Sequence, residues 1–240
     1  MGSKSNGKVY DNCLVISDTH FPYHHQDTME FLLWVYQQYD LDTVIHVGDI
    51  FDHHRPSRHV SETDSMSSED EYYATIDATA ELAEMFPEML IAEGNHDCIP
   101  KRQIKELGLA EHMVKSYQEL YGCPDSWVFS PKHYIDIGNG NLALLTHSIS
   151  SNVRTNATKF SHCSIQGHHH SEFGVHFYAD HNNIRWAMGV GALLDPKSPA
   201  ARYGASSILK RPILGCGVIQ NGWPLLVPMI LNSKGRWIGG

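Results

Sequence analysis

Thr43-Val-Ile-His-Val-Gly48-Asp49-Ile-Phe-Asp52 reads as a short β-branched strand that stops at a glycine and runs into two carboxylates. Cys13-Leu-Val-Ile-Ser17-Asp18 has the same texture upstream, and Glu88-Met-Leu-Ile-Ala-Glu93-Gly94 repeats it downstream. Between these runs, residues 28–39 and 71–86 carry a helical period. Strand alternating with helix predicts a parallel sheet, and in such sheets ligand sites lie beyond the carboxyl ends of the strands.

From Trp127 onward the pattern becomes strand-rich. Residues 134–137 and 142–145 flank the turn Gly138-Asn-Gly-Asn141, which predicts a hairpin. A short helix over 153–160 leads into a strand at 163–166, and 174–179 pairs in expectation with 184–190 around His181-Asn-Asn183. A last hairpin is expected from 213–220 and 225–231 about Asn221-Gly222. A second sheet packed on the first follows, giving an α/β fold, a four-layer double β-sandwich flanked by helices. Residues 1–10 are expected as a flexible lead and 11–240 as a single domain. The Ser, Asp and Glu-rich stretch 61–71 reads as an exposed loop, with a lid over the site as the sharper alternative.

No apolar run suffices to cross a membrane, and the polar start lacks the apolar core of a secretory signal. Five scattered cysteines without a CxxC spacing point to neither a disulfide framework nor a thiolate metal site. A reducing cytoplasmic location is the expectation, and no feature calls for an obligate protein partner. The net charge of −9 is uneven, because residues 1–150 hold 9 Lys/Arg against 24 Asp/Glu while 151–240 hold 9 against 3. Arg185, Lys197, Arg202, Lys210 and Arg211 therefore either face a phosphate-rich substrate or form a solvated basic surface.

Histidine is the compositional outlier at 17 residues. Five polar signatures follow five expected strands: Asp18-Thr-His20, Gly48-Asp49-Ile-Phe-Asp52, Gly94-Asn95-His96-Asp97, Thr146-His147-Ser148 and Gly167-His168-His169-His170. Residues two apart at a strand end point the same way, so Asp18 with His20, and His168 with His170, each aim two donors at one point. Carboxylate, imidazole and amide oxygen without thiolate favour borderline cations such as Mn, Fe, Zn or Ni. Seven donors exceed the needs of one ion but suit two ions roughly 3.5–4 Å apart, with Asp49 as the natural bridge. His162 rivals His147 as a donor, and Cys98 reads as a bystander without a base.

This ordered set, DxH, GDxxD, GNHD, H and GHxH, resembles the calcineurin-like metallophosphoesterase family, and it spans Asp18 to His170. The resemblance implies that Asp18, His20, Asp49 and His170 hold one metal and that Asp49, Asn95, His147 and His168 hold the other. His96 corresponds to the family histidine that meets the phosphate or leaving group, and Asp52 to the acid that orients it. The implied cofactors are two divalent ions, Mn first, with Fe, Zn, Ni or Mg as alternatives. The implied reaction is hydrolysis of a phosphate ester by a metal-bridging hydroxide. Asn95, His96, Arg55 and Arg58 are the candidate substrate contacts, with His24, His25, His53 and His54 nearby.

Departures from sub-family patterns narrow the class. His53-His54 follows Asp52 where protein Ser/Thr phosphatases carry Arg-Gly, and Asp52 stands where purple acid phosphatases carry a tyrosine. The motif forms look most like small bacterial or phage-type phosphodiesterases and the nuclease subunits of DNA repair complexes. A small or nucleotide-type diester is the preferred substrate. A DNA or RNA nuclease, a phosphomonoesterase and a non-catalytic scaffold are the alternatives.

Overall fold

The computed structural model describes residues 3–53, 66–150, 152–179, 181, 183–201 and 211–239. In chain order the strands and helices are β1 Ser3–Val9, β2 Asn12–Ile16, α1 Thr28–Gln38, β3 Thr43–His46, α2 Ser68–Met85, β4 Met89–Ala92, α3 Ile99–Glu106, α4 Tyr117–Tyr121, β5 Trp127–Ser130, β6 His133–Asp136, β7 Leu142–Leu145, α5 Val153–Lys159, β8 Cys163–Gln166, β9 Phe173–Ala179, β10 Ile184–Val190, β11 Gly215–Gln220 and β12 Trp223–Pro228.

Two six-stranded mixed sheets result, ordered β12-β11-β2-β3-β4-β5 and β1-β6-β7-β8-β10-β9. The β2, β3, β4 and β5 strands run parallel, as the strand-helix alternation predicts. β2 shows why this sheet is buried on both faces. Its alternate residues Cys13 and Val15 join Ile45, Ile135, Ile165, Trp186 and Met188 between the sheets. Leu14 and Ile16 point the other way, against Phe31, Leu32 and Val35 of α1 and Leu82 of α2. On the far side of the second sheet, Val153 of α5 packs on Ala187 of β10. The expected four-layer order is therefore present.

Ser3–Val9 forms β1, an edge strand parallel to β6 with an irregular register. The last hairpin, β11–β12, joins the first sheet through antiparallel pairing with β2 rather than extending the second. Burial explains this choice, because Val218 and Cys216 face the helix-side core while Ile219 faces the core between the sheets.

The topology sets up one site. β2, β3 and β4 are parallel in one sheet, and β7 and β8 are parallel in the other, and all five end at the same edge of the sandwich. Each of the five polar signatures follows one of these ends.

Candidate metal centre

Backbone geometry brings the signatures together. Asp18 N–H donates to Gly48 O at 3.0 Å, and His20 N–H donates to Asp49 O at 3.0 Å, which ties the first loop to the second. Asp18, His20, Asp49, His53 and His168 all have positive φ, between 50° and 69°. Non-glycine residues pay for this region, and such strain persists where surrounding structure over-determines it. Close approach also needs missing side chains: a Cβ on Gly94 would run into the carboxylate and amide nitrogen of Asp49, and one on Gly167 into Ser17 and Asp18.

The seven donors form two groups. In the first, His170 Nε2 lies 3.0 Å from Asp18 Oδ1 and 3.2 Å from His20 Nε2. In the second, His147 Nε2 lies 2.9 Å from Asp49 Oδ2, 3.1 Å from Asn95 Oδ1 and 3.2 Å from His168 Nδ1. One ring nitrogen cannot hydrogen-bond three such atoms at once, whereas one cation can accept all four. Asp49 Oδ2 is also 3.9 Å from His20 Nε2, so it stands between the groups.

Tautomers support the same reading. A carbonyl oxygen only accepts, so His147 donates Nδ1–H to Val47 O at 2.9 Å and turns Nε2 into the site. His20 sets Nδ1 against Asp52 Oδ1 at 2.6 Å and likewise presents Nε2. Asp18, Asp49, Asp52 and Asp97 are all at most 1% exposed. Buried carboxylates need positive charge nearby, and among the described residues the basic side-chain nitrogens within 4 Å of Asp18 and Asp49 are those of imidazoles. Burial works against an imidazolium at His147, but Asp49 and Asp18 outweigh it and push its pKa up to about 9. Burial likewise opposes ionised Asp18, yet His170 and His147 hold its carboxyl well below the usual range. The donor set thus offers the carboxylate, amide-oxygen and imidazole ligand types that borderline divalent ions take.

His96 adjoins the first group. Its Nδ1–H donates to the backbone oxygen of Asp52 at 2.6 Å, its N–H donates to Asp49 Oδ1 at 2.8 Å, and its ring packs edge-on against His20. The Asp52 carboxylate, expected to orient His96, makes its shorter contact with His20 and lies 3.5 Å from His96 Nδ1. Asp52 therefore steers His20 through its side chain and His96 through its main chain. Burial, then the charge of His20, lowers the His96 pKa.

Other candidates sort by contact. His25 donates to Gly235 O at 3.0 Å and so ties its loop to the C-terminal segment, while His24 packs edge-on against Phe21 of its own loop. His162 lies against Tyr134, outside the donor groups, and His169 turns to Ser150 O. Burial raises the Cys98 thiol to about 11, in keeping with a bystander. His54, Arg55, Arg58, residues 61–65, Arg202 and Lys210 lie outside the described residues. Lys197 and Arg211 are exposed.

Sequence reasoning gave Asp97 no role. Its Oδ2 accepts from Asp49 N–H at 2.9 Å and Gly94 N–H at 2.8 Å, and Oδ1 accepts from Phe51 N–H at 3.0 Å, pinning the loop of Asp49 to the loop of Asn95. Burial and the Asp49 charge raise its pKa to about 7. Its place in Gly94-Asn95-His96-Asp97 was a signal, but main-chain partners 46 and 48 residues away leave no side-chain pattern to read.

Among solved structures the chain is similar to Yfce, a phosphoesterase from E. coli, with 14% identity and a TM-score of 0.49 over 95% of this chain and 97% of that one. It is also similar to Chaetomium thermophilum Vps29, at 11% identity and a TM-score of 0.48 over 96% and 93% of the two chains. The Pseudomonas putida nuclease MPE matches at 11% identity and a TM-score of 0.38 over 90% and 87%. No curated protein matches the chain in sequence. The calcineurin-like phosphoesterase family model matches residues 12–194, which include all five signatures. The chain belongs to that family, whose members are metal-dependent hydrolases of phosphoesters.

Proposed function

We propose that the protein hydrolyses a phosphodiester of small or nucleotide type at a centre of two divalent cations, with Mn the preferred metal. The observation that carries this reading is the position of Asp49, whose Oδ2 lies 2.9 Å from His147 Nε2 in one donor group and 3.9 Å from His20 Nε2 in the other. Asp18, His20 and His170 would hold one ion, Asn95, His147 and His168 the second, and Asp49 both. When bound, such a pair supplies Lewis-acid neutralisation of phosphate charge and lowers the pKa of a coordinated water.

The chain's own residues supply proton handling and orientation. His96 is held through Nδ1–H by Asp52 O, so the neutral ring carries its lone pair on Nε2. A phosphate anion beside the ring raises its pKa and favours the protonated form, which gives its Nε2 proton to the departing oxygen. Asp49 Oδ1, by accepting His96 N–H, ties this acid to the ligand carboxylate itself.

Turnover of bis-p-nitrophenyl phosphate with added Mn, beside the corresponding monoester, tests the reaction class. A higher kcat/KM on the diester is expected. Preference for the monoester would overturn the diester assignment, and no turnover with Mn, Fe, Zn, Ni or Mg would support a non-catalytic scaffold instead. His96→Ala is expected to lower turnover of alkyl diesters by roughly 10²–10⁴ while nitrophenyl esters, whose leaving group departs without a proton, change far less.

A further inference from the structure

The loop that carries His96 is fastened from behind by a short helix. His53 Nδ1 lies 2.8 Å from His96 O, and because a carbonyl oxygen only accepts, Nδ1 carries the hydrogen. The other nitrogen, Nε2, therefore accepts, and Tyr121 O–H stands 2.6 Å from it as the donor. Tyr121 closes α4 and stacks on Phe51 with ring centroids 4.3 Å apart. From the same helix, Tyr117 O–H reaches Asp97 O at 3.1 Å and Glu93 Oε1 at 3.0 Å. Two tyrosines of one helix thus address the successive carbonyls of His96 and Asp97, one directly and one through His53. Both His53 and Tyr121 are 7% exposed, and His53 holds a left-handed backbone (φ 51°) to make the contact. The pairing is reciprocal, since the His96 side chain donates to the main chain of Asp52 while the His53 side chain donates to the main chain of His96.

We infer that His53 and Tyr121 are positioning residues for the leaving-group acid: the relay Tyr121 O–H to His53 to His96 O sets the orientation of the His96 backbone, and through it the aim of the imidazole. The inference rests on the proton-handling role proposed for His96. Its partners are the main chain of His96 and a phenol, so loss of the relay should shift the acid without emptying the donor groups.

The test uses full-length protein loaded with Mn, two diester substrates, one with nitrophenyl and one with alkyl leaving groups, and the variants His53→Ala, His53→Asn, Tyr121→Phe and His96→Ala. Asparagine keeps a donor near the position of Nδ1 and loses the link to Tyr121. For His53→Ala, kcat on the alkyl diester should fall about 10- to 100-fold with KM, cation content and nitrophenyl turnover within about three-fold of the parent. His53→Asn should recover most of that loss, and Tyr121→Phe should show a smaller fall with the same leaving-group dependence. Tyr121→Phe removes one hydroxyl and keeps the ring on Phe51, so it carries the test by itself if His53→Ala does not fold. Equal losses on both substrates, lost cations, or no recovery by asparagine would overturn the inference. A His96→Ala protein that loses both substrates equally would overturn the proton-handling reading and this inference with it. Discrimination in His96→Ala but none in His53→Ala or Tyr121→Phe would overturn this inference alone.

Discussion

Gly94 shows how narrowly the centre is built at the scale of single residues. Its α-carbon faces the Asp49 carboxylate and amide with no room for a methyl group. Gly94→Ala is therefore expected to displace either Asp49 or the Asn95–His96 turn, removing most bound cation and lowering turnover about 100-fold or more. Metal analysis and kinetics on the purified variant check this, and a Gly94→Ala protein with parental cation content would show that the contact yields cheaply. That the candidate donors converge was legible in the sequence, because each follows a strand end and paired residues two apart aim together. The contacts of Asp97 and of His53, which was expected only as a nearby candidate for substrate, were not. Their partners are backbone N–H and C=O groups, which every residue carries and which leave no trace in residue identity.

At the scale of elements, legibility followed periodicity. β2, β3 and β4 are short apolar runs between helices, and α1 and α2 are long enough to display an apolar stripe, so all five could be placed from sequence alone. α3 buries only Ile99, and α4 has five residues, so neither shows a face, although Ser116 and Glu119 form a capping box at the start of α4. β5 is four residues long and its pairing with β4 crosses both of those helices. One residue anchors it: Trp127 is 1% exposed and its indole N–H donates to Phe86 O at 2.9 Å. Trp127→Ala should cost about 3–5 kcal/mol from the cavity, plus about 1 kcal/mol for the unpaired carbonyl, read as a shift in the urea midpoint. Trp127→Phe should recover most of the packing term. A loss below about 1 kcal/mol for Trp127→Ala would mean that β5 is peripheral to the cooperative core.

The whole molecule carries several histidines that its fold keeps neutral. Burial lowers the pKa of His24 to about 4, of His53 to about 4 and of His46 to about 3, against about 6.5 in an unfolded chain. A depressed pKa means that the unfolded state takes up protons first as pH falls. Stability from these groups is thus fully present above about pH 6.5 and is lost as pH drops through 4. His24 contributes on the order of 3 kcal/mol to that loss, and it stands apart from the donor groups. Comparing Tm of the parent and His24→Phe across pH 4 to 7.5 isolates its share: the parent should lose more stability on acidification, and parallel curves would contradict the burial argument. The sandwich was legible because strand runs and hairpin turns carry local signals. That β11 and β12 join the first sheet was not, because sheet membership depends on which buried face a strand completes rather than on the strand's own residues. The five loop signatures meet because parallel strands from both sheets end at one edge, and this makes Asp49 the residue on which the account turns. Cation content per chain, measured on parent and Asp49→Asn protein reconstituted with Mn and desalted, is the direct test of that claim. Close to two ions are expected for the parent, and loss of most of both in the variant, since one carboxylate would couple the two sites. One ion per chain, unchanged in Asp49→Asn, would contradict it.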